Sequence, residues 1–345
     1  MNFNFNFQMK MKFNFNFNFP SGRKEQALLP APILLLARRL TKADMPRRIS
    51  WSAGLFVLLV LVLGPVCVGQ ERPYFVTYTH EMEEPGNLEI AMLNVTGKPS
   101  AGNRFWGSSV ELEYGVTGWW TTELYLDGVS IPNDSTIFTG YRLENRFYPL
   151  SRQHWINPVI YVEFENINGA DKSMREVVGH DGAADFLDRN SETRKEKKRE
   201  VELKLILGSN FRGWNISENL IFEKNLINSP WEFGYAVAAS RPLKLLASSR
   251  PCAFCAEKFA AGIEMNGGLG TRYTAGLHNT SQYLGPTMNW RSPFGATLSF
   301  SPQFGLNDYS LPRLFRFGVS YEVDQVLSRM GFSHKDSLHK NQEGR

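Results

Sequence analysis

The chain has 345 residues, of which 42% are apolar and 13% aromatic, with 38 Lys and Arg, 34 Asp and Glu and only 3 Cys. This composition excludes collagen-like, disulfide-scaffold and wholly disordered proteins. No window has the run of ~18 to 20 apolar residues that a membrane-spanning helix needs, whereas crossing by strands stays open. Residues 1–69 hold most of the basic excess, so the remainder is mildly acidic, which argues against nucleic acid as a partner.

Residues 45–69 have the three parts of a secretory signal peptide. Arg47 and Arg48 make a positive start, residues 54–64 form a short apolar run, and small residues follow. Cleavage is therefore predicted before Gln70. The alternative interpretation, a buried core helix, would not need the two arginines in front of it.

Residues 1–44 precede this signal, although a signal normally begins the chain. They open with an Asn-Phe alternation of low complexity. We expect this N-terminal extension to be unstructured. One hypothesis is that Met45 is the true start of translation.

From residue 70 onward, apolar and polar residues alternate in segments of about ten residues. In the clearest segment, Phe315, Phe317 and Val319 alternate with Arg316 and Gly318, so one face of the strand is apolar and the other polar. The pattern predicts twelve strands, which contain residues 88–92, 110–114, 120–126, 141–147, 160–164, 201–207, 214–222, 231–237, 259–265, 284–290, 294–300 and 315–323.

These segments match the ~9 to 11 residues that a tilted strand needs to cross a bilayer. Every backbone group must be paired inside a membrane, so such a sheet has to close on itself. We therefore predict an all-β fold, a closed antiparallel up-and-down transmembrane β-barrel of about 12 strands over residues 87–325. Residues 70–86 are expected to be a solvated periplasmic lead-in, and residues 326–345 a polar C-terminal tail.

Connection lengths follow the rule of short periplasmic turns and longer outer loops. The longest predicted loop, residues 167–200, falls on the outer side. Residues 241–256 disagree, because they are long but fall on the periplasmic side. Either they form a periplasmic appendage, or a hairpin near residues 271–277 is missing from the count. Glu218 falls on the apolar side of its strand, which indicates a bulge or a register shift.

A secreted sandwich or lipocalin-like barrel shows the same alternation with the apolar face inward. Two features favour the membrane orientation instead. The charged faces also carry Gly, Ala and Ser, which suit a lumen, and aromatic residues lie near strand ends, as in the girdles of membrane barrels. These aromatic residues are Trp106, Trp119, Trp120, Phe147, Tyr148, Trp155, Trp214, Trp231 and Trp290.

Together with the signal peptide, residues 113–126, 155–165 and 315–322 resemble Gram-negative outer-membrane β-barrel proteins. They are most similar to transporter barrels of the MetA-pathway phenol-degradation type. The resemblance spans roughly residues 74–323 and implies a location in the outer membrane of a Gram-negative bacterium, with no catalytic residue to carry over. One departure is that many such barrels end on an aromatic residue, whereas a polar tail follows Val323 here.

Cys252 and Cys255 lie in the anomalous long connection, and a local disulfide is the simplest interpretation in an oxidising periplasm. Unpaired cysteines and a metal site are the alternatives. A haem would need His after the second Cys, and zinc would need two more ligands. We therefore expect no cofactor and no metal.

The sequence contains no obvious catalytic site. His80 starts a stretch that resembles a metalloprotease motif but lacks its second His. None of the six His falls within a predicted strand, so a lipid hydrolase with a Ser–His pair on the wall is disfavoured. For His180, in the long outer loop, a polar turn is favoured over a pH-sensitive or metal-binding loop.

The inward face of the predicted strands is acidic. Counting Glu89 and Lys258, acids outnumber bases there by 12 to 5. Burying such charges is costly unless they meet water or one another, so the lumen is either a salt-bridged plug or a hydrated pore that favours cations. The lumen-facing candidates are Glu111, Glu113, Glu123, Asp127, Arg142, Glu144, Arg146, Glu163, Glu165, Glu202, Lys204, Glu232, Glu264, Arg316 and Glu322.

These observations predict a porin-like passage for small polar or cationic solutes, with outer-membrane lipid as its surroundings. The first alternative is a non-conducting structural or binding barrel that uses the long outer loop, and the second is an outer-membrane lipid hydrolase. Solute identity and oligomeric state do not follow from the sequence.

Overall fold

The structure is a computed structural model, which describes residues 73–175, 178, 186–227, 229–245, 252–277 and 279–329. The predictions for the N-terminal extension, the signal peptide, His180 and most of the C-terminal tail lie outside the described residues. Within these ranges, no helix is long and apolar enough to cross a membrane. The described helices are short: α1 (Asn190–Thr193), a 3-10 turn (Ala256–Lys258) and α2 (Val326–Arg329).

Twelve antiparallel strands form one closed barrel, as predicted. Each strand pairs with its neighbours in the chain, and the last pairs with the first. The strands are β1 (Leu88–Gly97), β2 (Phe105–Thr117), β3 (Trp120–Ile131), β4 (Ser135–Phe147), β5 (Asn157–Asn168), β6 (Lys197–Phe211), β7 (Trp214–Asn225), β8 (Trp231–Pro242), β9 (Phe259–Thr271), β10 (Gln282–Arg291), β11 (Ala296–Gly305) and β12 (Arg313–Val323).

The wall is inside-out relative to a soluble barrel. Along β4, Leu143 is 46% exposed whereas the adjacent Glu144 is 0% exposed. Ile160 and Glu163 in β5 show the same contrast, at 50% and 2%. Successive side chains of a strand point to opposite faces, so the apolar set covers the outside and the charged set fills the interior.

The connections separate into two ends. The turn end holds the short β2–β3, β6–β7 and β10–β11 connections together with the start of β1 and the end of β12. The loop end holds the long β5–β6 connection. The β8–β9 connection is long yet lies at the turn end. Near the end of β9 the chain makes a tight turn in which Gly270 bridges Ala275, and this turn adds no strand to the twelve of the barrel.

Two local expectations were wrong. The strand that contains Glu218, β7, pairs with β6 and with β8 without a register shift, so no bulge forms. The Glu218 side chain is exposed on the outer wall near the turn end. β11 begins at Ala296, two residues later than the predicted segment 294–300, and continues beyond that segment through Pro302 to Gly305. The closed sheet holds Pro302 between β10 and β12 although it cannot donate to either strand.

Candidate functional site

Nine glutamates form one continuous row on the inner wall of the barrel. Each is the direct cross-strand partner of the next, from β12 through β1 to β8. We call this row the glutamate staircase. Its members are Glu322, Glu89, Glu113, Glu123, Glu144, Glu163, Glu202, Glu223 and Glu232.

The staircase climbs from one end of the barrel to the other. Glu322 is the second-last residue of β12 and Glu89 the second of β1, both at the turn end. Glu223 and Glu232 lie near the end of β7 and the start of β8, both at the loop end. Strands of a barrel tilt, so a row perpendicular to them rises along the axis. The two terminal glutamates, Glu322 and Glu232, are partly exposed, whereas the seven between them are buried.

Like charges on directly paired residues destabilise a sheet, and burying them costs more. Bases on the rows beside the staircase offset part of this cost. Arg146 contacts Glu113, lies 2.9 Å from Glu144 and 3.7 Å from Glu123. Among the described residues, thirteen buried acids face only six buried Lys or Arg, so the interior keeps an acidic surplus.

Two further bases form ion pairs inside the barrel. The Lys204 ammonium lies 2.6 Å from Glu202 and 4.2 Å from the centre of the Tyr161 ring. The Arg142 guanidinium lies 3.0 Å from Asp127 and 3.6 Å from Glu165. Both bases are nearly inaccessible to solvent, so these pairs are shielded from salt.

Residues 73–84, which we call the strap, run inside the barrel as far as Glu83, and Glu84 is exposed at the turn end. Residues 70–86 are predicted to be a solvated lead-in, but all seven residues from Tyr74 to His80 are buried. Buried backbone groups need partners, and the inward polar side chains of the wall supply them. Glu264, for example, accepts hydrogen bonds from the backbone N–H groups of Val76 and Thr77 at 2.8 and 2.7 Å.

Where the strap returns to the turn end, it packs closely against two glycines, Gly208 and Gly115. A Cβ on Gly208 would lie 2.2 Å from Nδ1 of His80, and one on Gly115 would lie 2.1 Å from the carbonyl oxygen of Glu84. Only glycine leaves room for this approach. Burial lowers the pKa of His80, so its imidazole is neutral at pH 7.

Glu83 places a further carboxyl beside the staircase, at the turn end of the barrel. Burial raises the pKa of Glu83 to about 9, and the charges of Glu113, Glu322 and Glu89 act in the same direction. The side chain therefore keeps its proton at neutral pH in the docked strap.

A second segment enters the lumen from the loop end. Residues 170 and 172–175 are buried, and the Arg175 guanidinium lies 2.9 Å from Glu111 and 5.0 Å from the centre of the Tyr125 ring. It also donates a hydrogen bond of 3.3 Å to the carbonyl oxygen of Phe75, so this inner loop meets the strap.

The two segments leave little free space between them. A cavity of about 30 Å³ lies beside Tyr74, Phe75 and Arg175, which is room for only a few water molecules. Wider cavities open at the ends, about 270 Å³ around Lys172 at the loop end and about 290 Å³ around His80 at the turn end. The described conformation is therefore closed in the middle.

The structure buries thirteen of the fifteen residues that the sequence analysis placed in the lumen, and Glu232 and Glu322 are partly exposed. Five buried charged residues were not predicted: Glu83, Lys172 and Arg175 lie outside the strands, and Glu200 and Glu223 lie where β6 and β7 extend beyond the predicted segments. A signal for the strap was available, since an aromatic and β-branched run, residues 74–79, lies between Pro73 and Pro85.

Cys252 and Cys255 form a disulfide in the β8–β9 connection, with their Cα atoms 5.6 Å apart. Cys252 is exposed and Cys255 is partly exposed, so neither belongs to the buried lumen site. No group of three or more His, Cys, Asp or Glu within the described ranges is arranged to hold a metal ion.

Sequence comparisons assign no function to the site, because no family model and no curated protein matches the chain. Among solved structures, an outer-membrane channel from Pseudomonas putida F1 is 13% identical with a TM-score of 0.41, covering 73% of this chain and 99% of that one. The KdgM porin is 8% identical with a TM-score of 0.38, covering 68% and 98%. The NanC porin is 9% identical with a TM-score of 0.40, covering 68% and 100%.

Proposed function

We propose that the chain is an outer-membrane β-barrel that forms a passage for small polar or cationic solutes. The observation that carries the proposal is the glutamate staircase, which joins the two ends of a barrel whose outer wall is apolar. A row of paired like charges lowers stability, so its presence over nine consecutive strands favours a role in function. Carboxylate rings select cations in known pores.

The strap and the inner loop close this passage in the described conformation. The Tyr78 hydroxyl donates a hydrogen bond of 2.9 Å to Glu144. The Lys204 ammonium lies 4.6 Å from the centre of the Tyr78 ring. The strap therefore covers the middle of the staircase. Solute passage requires the strap to leave, and the β12–β1 pairing closes the barrel without it.

Single-channel recording in planar bilayers tests the passage. We expect the full chain to conduct weakly and a variant lacking residues 73–83 to conduct at least about tenfold more, because the lumen loses the segment that covers the middle of the staircase. The current should be cation-selective. A strap-deleted barrel that is folded in detergent but does not conduct, or that prefers anions, contradicts the proposal.

The staircase itself is tested by the double substitution Glu123→Gln and Glu163→Gln. Both carboxylates are buried, and the Tyr161 hydroxyl that donates to Glu163 can donate equally to Gln. In the strap-deleted barrel, we expect the cation-to-anion permeability ratio to fall roughly twofold or more, since two negative charges leave the path. Glu218→Gln is the matched control, because Glu218 lies on the outer wall and should not alter selectivity.

The second candidate is a non-conducting structural or binding barrel that uses the long outer loop, residues 167–200. The nearly solvent-free ion pairs of Arg142 and Lys204 favour it, because such pairs also stabilise a filled interior. Deleting the strap separates the two, since a filled structural barrel would stay silent. A lipid hydrolase has no structural support, since no described His lies in a strand.

The proposal also includes the cellular location of the protein and its family resemblance. We expect export by the signal peptide at residues 45–69 to the outer membrane of a Gram-negative bacterium. The likeness to MetA-pathway barrels stays a prediction from the sequence. The apolar belt on the outside of the barrel supports lipid as its immediate surroundings.

A further inference from the structure

The barrel holds the strap largely by its main chain. The carboxylate of Glu264 on β9 accepts from the backbone N–H groups of Phe75, Val76 and Thr77, at 3.4, 2.8 and 2.7 Å. One carboxylate thus receives three successive amides. Glu264 is itself fully buried and held by Gln303, whose Nε2 donates to it at 3.0 Å.

The next residue is bound in the manner of a strand neighbour. The Asn219 side chain on β7 accepts from the N–H of Tyr78 at 2.6 Å and donates to its carbonyl oxygen at 3.0 Å. Asn289 on β10 donates to the carbonyl oxygen of Pro73 at 3.0 Å. A side-chain amide that satisfies both main-chain groups of one residue can bind any residue except proline in this way.

These partners belong to the wall and not to the strap. Within the described part of the chain, residues 73–79 pair with no strand, and the twelve strands close the barrel by themselves. If the strap leaves, Glu264 and Asn219 stay in place with their hydrogen-bonding capacity unfilled. A buried polar group without a partner is costly, so water or another peptide must replace the strap.

We infer that the lumen contains a recognition site for a peptide of about six residues that bends where it meets the Glu264 carboxylate, and that the strap is its resident occupant. This inference rests on the proposed passage and names a ligand class for it. Two side-chain pockets add preference to the main-chain contacts. Phe75 lies beside Gly318, with its ring 3.6 Å from where a Cβ on that glycine would be, and Tyr78 meets the edge of Tyr161 with ring centroids 5.0 Å apart. The site therefore favours aromatic residues three positions apart.

Peptide binding in trans tests the inference. The full-chain double variant Phe75→Ser and Tyr78→Ser weakens the resident strap but keeps Glu264 and Asn219. In detergent, we expect it to bind a fluorescent peptide of residues 73–81 at least about tenfold more tightly than the unaltered chain does. The same peptide N-methylated at the residues that match Val76 and Thr77 keeps every side chain but lacks two donors. Its affinity should be at least about tenfold lower, as expected for the loss of hydrogen bonds to a carboxylate.

Adding Glu264→Gln and Asn219→Leu to the double variant should abolish the preference for the unmethylated peptide, and adding Glu218→Gln should not. A variant that lacks residues 73–83 provides a second host for the same titration. Equal binding of the two peptides, or no binding to either host at about 1 mM, overturns the inference. A barrel that binds the peptide without conducting ions would overturn the passage alone, and one that conducts without binding would overturn the peptide site alone.

Discussion

Glu83 makes docking of the strap depend on pH. Its carboxyl is buried near Glu113, Glu322 and Glu89, and its pKa is about 9 in the docked state, against an ordinary value of 4.5. Below pH 4.5 the group is protonated whether the strap is docked or free. As the pH rises toward 9, the free strap loses this proton and the docked strap keeps it, so docking weakens progressively over this interval.

We expect the backbone amides of residues 75–78 to lose at least about tenfold in protection from hydrogen exchange between pH 5 and pH 8.5, after correction for the intrinsic exchange rate. Glu83→Gln should remove this loss, because Gln cannot titrate. Glu84→Gln is the matched control, since Glu84 is exposed one position further along. Unchanged protection in the unaltered protein would show that Glu83 does not govern docking.

Gly208 shows how one residue of the wall depends on a distant residue of the strap. In the sequence it reads as a polar-face residue near the end of a strand. The structure places the His80 ring where its side chain would be. The alternation thus predicted the face on which Gly208 lies, but not that a strap residue occupies the space beside it.

At the scale of elements, β10 and β11 meet at a weak seam. The amide of Leu306 donates to the carbonyl oxygen of Gln282, so even-numbered residues of β10 exchange hydrogen bonds with β11. The register then places Pro286 opposite Pro302, and neither can donate. Two bonds of the ladder are therefore missing in the middle of the wall.

Replacing both residues, Pro286→Val and Pro302→Val, should restore these two bonds. At about 0.5 to 1.5 kcal/mol each, the free energy of unfolding should rise by about 1 to 3 kcal/mol, measured by urea unfolding in lipid vesicles. Pro158→Val is the control, because Pro158 lies at the start of β5. A double variant that is no more stable than the control would show that the seam does not limit the stability of the barrel.

At the scale of the whole molecule, the inverted polarity of the wall sets the solvent that the barrel requires. Apolar side chains such as Leu143, Ile160 and Met288 are 46%, 50% and 49% exposed on its outer surface. A continuous apolar belt of this kind aggregates in water and is stable in hydrocarbon.

The mature chain should therefore stay monodisperse only in detergent or lipid. An unheated sample should migrate differently from a boiled one on a denaturing gel, because the closed barrel resists detergent until heated. The boiled sample is the control for the unfolded chain. A purified protein that is monodisperse in plain buffer would contradict the orientation of the wall.

The period-two pattern alone determined the strands, their number and the inward face of the acidic residues, because alternation assigns each side chain to one side of a sheet. Only the tertiary structure decided that nine glutamates lie in one row, since strand register depends on how the sheet closes and not on the pattern within a strand. It alone placed the strap in the lumen as well. The partners that hold Phe75 and Tyr78, Glu264 and Asn219, are far away in sequence and meet them only when the barrel is closed.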